Sequence, residues 1–232
     1  MTAPQLQRLQ HIADRLQSDP RALALLALGS VGRDTERIDE HSDVDFFVIA
    51  QDKPAFLDDL GWLGEPLQWW HRDTPDGCKA LVGDQFHEFA VFRPEELPGV
   101  PFEPGRLVWA RAGFDPAVLV PSVPAKPDAD WLSREILSNL YVGLHRWLRG
   151  EKLAAMRMVQ EVALDNLLRL WGPDDPFNPA RRAESLGLPL DHMAAGYDKT
   201  PSAAAAILEA LPPGAHDAMA TEVQQLLRRC QR

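Results

Sequence analysis

Apolar residues recur along this chain with two different periods. Near the start, Leu6, Leu9, Ile12 and Leu16 fall at helical spacing and predict an amphipathic helix over Gln5 to Gln17. The continuous apolar run Leu23 to Leu28 predicts a strand, and Phe46-Phe47-Val48-Ile49 predicts a second. Cys78 to Val82 and Gln85 to Phe92 read as the two arms of a hairpin, with Gly83-Asp84 as its tight turn. Prolines then crowd the sequence at 94, 98, 101, 104, 116, 121, 124 and 127. Within that stretch only Leu107 to Ala110 has the pattern of a strand, a last member of the sheet; the rest reads as an ordered linker.

From Trp131 the period lengthens. Ile136, Leu140, Leu144, Trp147 and Leu148 mark one helix that stops at Gly150, and Met156, Val159, Ala163, Leu167 and Leu170 mark another that stops at Gly172. Two more are expected over Ser202 to Leu211 and His216 to Arg229. No internal repeat is visible. The expected class is α+β: an N-terminal mixed sheet flanked by helices, over residues 1–125, followed by a C-terminal helical bundle over 126–232.

Composition narrows the setting. With 232 residues and 45% hydrophobic content the chain can bury a sizeable core. No apolar stretch approaches the roughly 20 residues that span a bilayer, and the start, Met1-Thr2-Ala3-Pro4-Gln5, lacks the basic and apolar regions of a signal peptide. Cys78 and Cys230 are far apart and have no His at ligand spacing, so neither a disulfide framework nor a zinc site is expected. A cytoplasmic location follows as the default.

The chemistry concentrates between Gly29 and Asp45. Gly29-Ser30-Val31-Gly32-Arg33 follows the first strand, and Ser42-Asp43-Val44-Asp45 opens the second. Alternation along a strand points Asp43 and Asp45 to one face. Two carboxylates this close repel unless a cation lies between them, which points to a hard divalent metal, most simply Mg²⁺. Gly29 and Gly32 carry no Cβ, so their turn admits close approach of backbone N–H groups to a phosphate. A third carboxylate is available in the returning hairpin strand. Glu88 is flanked by Phe86, Phe89, Val91 and Phe92, company in which a buried carboxylate needs a partner. Asp84 competes for the role, but it occupies the turn, where Asp is expected for local reasons.

Gly-Ser, an Arg four residues after the Gly, and Ser-Asp-x-Asp running into a strand together resemble the signature of the polymerase-β-like nucleotidyltransferase superfamily. Within it, Arg21 to Ala50, Trp62 to Leu97 with His87-Glu88-Phe89, and Ser138-Asn139-Leu140 to Arg149-Gly150-Glu151 look like the lincosamide nucleotidyltransferases with a helical C-terminal half. An Asp that such proteins carry after the last strand is replaced here by Ala110 or Arg111.

The resemblance implies a nucleotidyltransferase catalytic domain over 1–125 and a helical substrate-binding domain over 126–232. It implies transfer of a nucleoside monophosphate, AMP from ATP, to a hydroxyl of a small molecule such as a lincosamide or aminoglycoside antibiotic. Asp43 and Asp45 would hold Mg²⁺; Gly29, Ser30 and Arg33 would bind the nucleotide; Glu88 would be the general base. Asn139 and His145 on the first C-terminal helix, and Arg157, Glu161 and Asp165 on the second, are acceptor-side candidates, with Glu161 and Asp165 one turn apart. At most one of Trp69 and Trp70 is expected to stack on a base or acceptor ring, and the other to be core, because adjacent strand residues face opposite ways. The net charge of −10, with 24 Lys and Arg against 34 Asp and Glu, points away from nucleic acid and toward a small, cationic, hydroxylated acceptor. No membrane partner is expected, and a homodimer is one assembly that fits. Two other readings stay open: a transferase that modifies a protein hydroxyl, as short antitoxin-type members do, and a catalytically silent nucleotide-binding module.

Overall fold

The computed structural model describes residues 3–172, 175, 177–214 and 216–230. The chain divides into two compact units, Met1–Val123 and Pro124–Arg232. Among the described residues no helix is long and apolar enough to cross a membrane.

The first unit is a mixed six-stranded sheet with helices, the expected α+β arrangement. Its elements are α1 (Pro4–Ser18), β1 (Ala22–Ala27), a single turn α2 (Gly29–Gly32), β2 (Val44–Ala50), α3 (Lys53–Asp58), β3 (Leu67–His71), β4 (Gly77–Val82), β5 (Gln85–Phe92) and β6 (Arg106–Ala110). The strand order is β3-β4-β5-β2-β1-β6. β2 and β5 run parallel and every other pair is antiparallel.

Alternation gives the sheet two faces of different character. The back face carries Val44, Phe46, Val48, Cys78, Ala80, Phe89 and Val91, which pack with Leu9, Ile12, Ala13 and Leu16 of α1 in the main core. Phe46 and Phe89 stack there, with centroids 5.3 Å apart. On the front face, Ile49 and Phe92 from the C-terminal halves of β2 and β5 join Leu97 and Phe102 in a second cluster. The proline-rich stretch is therefore more than a linker. Leu97 and Phe102 are 0% and 4% exposed, because the chain after β5 turns back to cover that half of the sheet. The N-terminal halves of β2 and β5 keep their polar front residues uncovered by this cluster.

Arg111 explains itself locally. Its guanidinium donates to the carbonyls of Ala22, Gln17 and Asp19 and stacks over Trp109, so it clamps the α1–β1 connection.

In the second unit α4 (Ala129–Leu148) is capped by the Asp128 side chain, which accepts from Trp131 N at 2.7 Å. The chain returns as α5 (Lys152–Arg157), a π-helical segment (Met158–Ala163) and α6 (Leu164–Trp171). The short α7 (Leu190–Met193), α8 (Thr200–Glu209) and α9 (Asp217–Cys230) complete it. One apolar cluster joins Ile136, Leu140, Val159, Leu167, Ala203, Ile207 and Val223. α4 and the π-helical segment approach closely at Gly143, where a Cβ would lie 2.8 Å from Val159 Cγ2. The π segment also presents Gln160, whose amide donates to Gly196 O and accepts from Gly196 N, both at 2.8 Å.

Candidate active site

The site residues of the first unit are brought together by the ladder. Asp45 is the second residue of β2 and Glu88 is its register partner on β5. Lys79 is the partner of Glu88 on β4, and His71 is the partner of Lys79 on β3. One front-face row therefore reads His71, Lys79, Glu88, Asp45. Asp43 lies one residue before β2, and both aspartates are half-buried.

At the other end of this row stands the Gly29–Ser30 turn. Leu28 N donates to Asp45 O at 2.8 Å, which ties the end of β1 to the start of β2. Gly29 follows with φ +52°, and a Cβ there would overlap Asp45 Oδ2. A side chain is excluded twice over, by backbone conformation and by the carboxylate lying against it. Ser30 Oγ is buried and hydrogen-bonds to nothing among the described residues. A buried hydroxyl without a partner, one residue after bare backbone on which a carboxylate packs, is a place for a ligand oxygen.

The two arginines near this turn divide their work. Arg106 donates to the carbonyls of Gly32 and Val31 at 3.0 and 2.9 Å, satisfying the C-terminal end of α2. Arg33 is exposed and donates its Nε to Gly105 O at 3.1 Å.

Glu88 differs from the sequence expectation. It is not buried among aromatic residues: its side chain is 50% exposed and makes an ion pair with Lys79 at 3.3 Å. Alternation sends Phe89 and Val91 to the back face, and only Phe86 and Phe92 share its side. Lys79 also approaches Asp73 at 3.7 Å, and the carboxylate of Glu88 raises the Lys79 pKa. Sequence reasoning missed Lys79, although a two-residue turn at Gly83-Asp84 fixes the hairpin register and places 79 opposite 88. Asp84 is exposed at the turn.

The tryptophans also depart from expectation. Neither is core: Trp69 and Trp70 are 49% and 48% exposed, because β3 is an edge strand. Trp69 falls on the same face as Glu88, and Trp70 on the other.

The second unit's candidates are engaged within their own helices. Asn139 donates to Glu135 O at 2.8 Å, and His145 packs edge-on against Tyr141. Arg157 and Glu161 are exposed. Burial raises the Asp165 pKa; the charge of Arg169 opposes this and that of Glu161 adds to it.

Among the described residues no group of three or more His, Cys, Asp and Glu side chains is gathered as a metal cage.

No known family profile and no curated protein matches the chain. Among solved structures it is similar to an aminoglycoside 6-adenyltransferase from Bacillus subtilis, at 14% identity over 97% of this chain and 92% of that chain, with a TM-score of 0.35. It is similar to a nucleotidyltransferase-like protein from Exiguobacterium sibiricum at 13% identity over 96% of this chain and 78% of that one, TM-score 0.36. A spectinomycin adenyltransferase from Enterococcus faecialis, whose structure holds ATP and spectinomycin, is similar at 10% identity over the whole of both chains, TM-score 0.35. The likeness at these scores is loose, and the functional reading rests on the residues of the site itself.

Proposed function

We propose that the chain is a Mg²⁺-dependent nucleotidyltransferase that moves AMP from ATP to a hydroxyl of a small molecule, a lincosamide or aminoglycoside antibiotic being the acceptor class. The observation that carries this is the position of Asp45. Its carboxylate lies against Gly29, the residue before Ser30 with its orphaned hydroxyl, and its ladder partner is Glu88.

These residues fit the group that such chemistry needs. Mg²⁺ is commonly held by one or two carboxylates and completes its shell with phosphate oxygens and water. Asp43 and Asp45 supply that pair, and no third protein ligand is required. When bound, the metal neutralises charge on the phosphoryl oxygens. Ser30 Oγ and the turn's N–H groups hold a β- or γ-phosphate oxygen, with Arg33 at the margin. Glu88 accepts the proton of the acceptor hydroxyl as its oxygen bonds to the α-phosphorus. The bond from that phosphorus to the β-phosphate oxygen breaks, and pyrophosphate leaves.

The test is to incubate the full chain with Mg²⁺ and each common NTP against lincomycin, spectinomycin and kanamycin, with mass spectrometry of the products. Transfer predicts an acceptor heavier by one nucleoside monophosphate together with released pyrophosphate. Label on a protein instead would favour the antitoxin-type reading, and NTP binding with no product would favour the silent module.

A further inference from the structure

The front face carries aromatic surface that the transfer chemistry leaves unused. Trp69 on β3 and Phe86 on β5 are 49% and 37% exposed. Both are register partners of Leu81, which lies between them on β4. The strands that carry them are two spacings apart, roughly 9.6 Å. Their ring centroids are nevertheless only 6.3 Å apart, with planes 21° from parallel. The rings therefore lean together over Leu81 and make one surface. His71 adds a third ring, 6.2 Å from Trp69.

The position of this surface follows from the strand order. Gly29 and Ser30 follow β1, Asp45 is on β2, Glu88 on β5, and the aromatic pair spans β5 to β3. Phe86 precedes Glu88 by two residues, about 7 Å along the same face. In phosphoryl transfer the attacking and leaving oxygens lie roughly in line through phosphorus. With the phosphates gripped at the β1 side, the attacking hydroxyl comes from the opposite side, at Glu88. The body of the acceptor then extends over β4 and β3.

Resting on the transferase reading above, we propose that Trp69 and Phe86 form the acceptor platform. It takes a saturated, hydroxylated ring bearing an ammonium group, an amino sugar or aminocyclitol, by the ring's apolar C–H face. Charge selects the cation: the two carboxylates of Glu88 and Asp73 share Lys79, which leaves net negative charge beside the aromatic pair.

The test uses the full chain with Mg²⁺ and a non-hydrolysable ATP analogue. Kanamycin and spectinomycin are the probes, followed by saturation-transfer NMR and by calorimetry. Trp69→Ala and Phe86→Ala should each weaken binding of at least one probe by about tenfold. Trp69→Phe should restore most of it, Trp70→Ala on the opposite face should leave it unchanged, and analogue affinity should stay within about twofold throughout. Failure of both probes to bind the wild type, binding indifferent to Trp69, or an equal loss in Trp70→Ala would overturn the platform. So would a loss of analogue affinity in Trp69→Ala, which would hand the surface to the adenine. Transfer whose acceptor affinity ignores Trp69 would sink the platform and leave the transferase reading standing. Absence of transfer to every acceptor would sink that reading whatever Trp69 binds.

Discussion

Asp45 and Glu88 face each other across the parallel pair β2 and β5, one ladder step apart on the same side of the sheet. The strand spacing of about 4.8 Å keeps two carboxylates close together at the head of both strands. Asparagine at 45 keeps the shape of the side chain packed on Gly29 but takes away one of the two carboxylates, Asp43 and Asp45, of the proposed metal grip. Asp45→Asn should therefore keep its melting temperature while AMP transfer falls by several orders of magnitude. Turnover near wild type at saturating Mg·ATP would contradict the assignment.

Gly29 is the backbone half of the same arrangement. Gly29→Ala adds a Cβ that overlaps Asp45 Oδ2 at a φ of +52°. It should cost about 1–2 kcal/mol in chemical denaturation, and it should displace the carboxylate enough to depress turnover. Gly99→Ala, where nothing lies within 4 Å, is the matched control and should be close to neutral.

The strands and turns that carry the candidate residues were legible in the sequence, and the reasons are local. Strand alternation fixes the face of Asp45 on β2, and the Gly83-Asp84 turn fixes the hairpin that carries Glu88. What escaped depends on neighbours distant in sequence. Glu88 looked buried because its sequence neighbours are aromatic, yet those neighbours divide between two faces. One of Trp69 and Trp70 is expected in the core and neither is, because edge position is a property of the sheet. Leu97 and Phe102 looked like linker because prolines conceal the turn that lays them over Ile49 and Phe92.

His87 gives the fold a pH dependence. It is fully buried on the back face, edge-on to Phe46, with its Nδ1 3.1 Å from Gln85 O and its Nε2 without a partner among the described residues. Burial, reinforced by the charge of Arg8, lowers its pKa from 6.5 to about 4. The folded state thus binds the proton less well than the unfolded state. The stability this residue supports is whole above pH 6.5 and is lost as pH falls through 4, a total of about 3 kcal/mol. Urea denaturation between pH 7 and 5 should show declining stability, and His87→Leu should flatten that decline. An unchanged slope in the variant would place the titrating group elsewhere.

Glu88 is the proposed base beside an intact nucleotide grip, and Glu88→Gln under single-turnover conditions tests that role most directly. The amide preserves the shape of the strand and leaves Asp43, Asp45 and Ser30 in place, but it cannot take a proton. Its partner Lys79 loses only an exposed ion pair, worth under about 1 kcal/mol. Mg·ATP affinity should stay close to wild type while the rate of AMP transfer falls by roughly 10²–10⁴-fold. An unchanged transfer rate, or loss of Mg·ATP binding, would contradict the account.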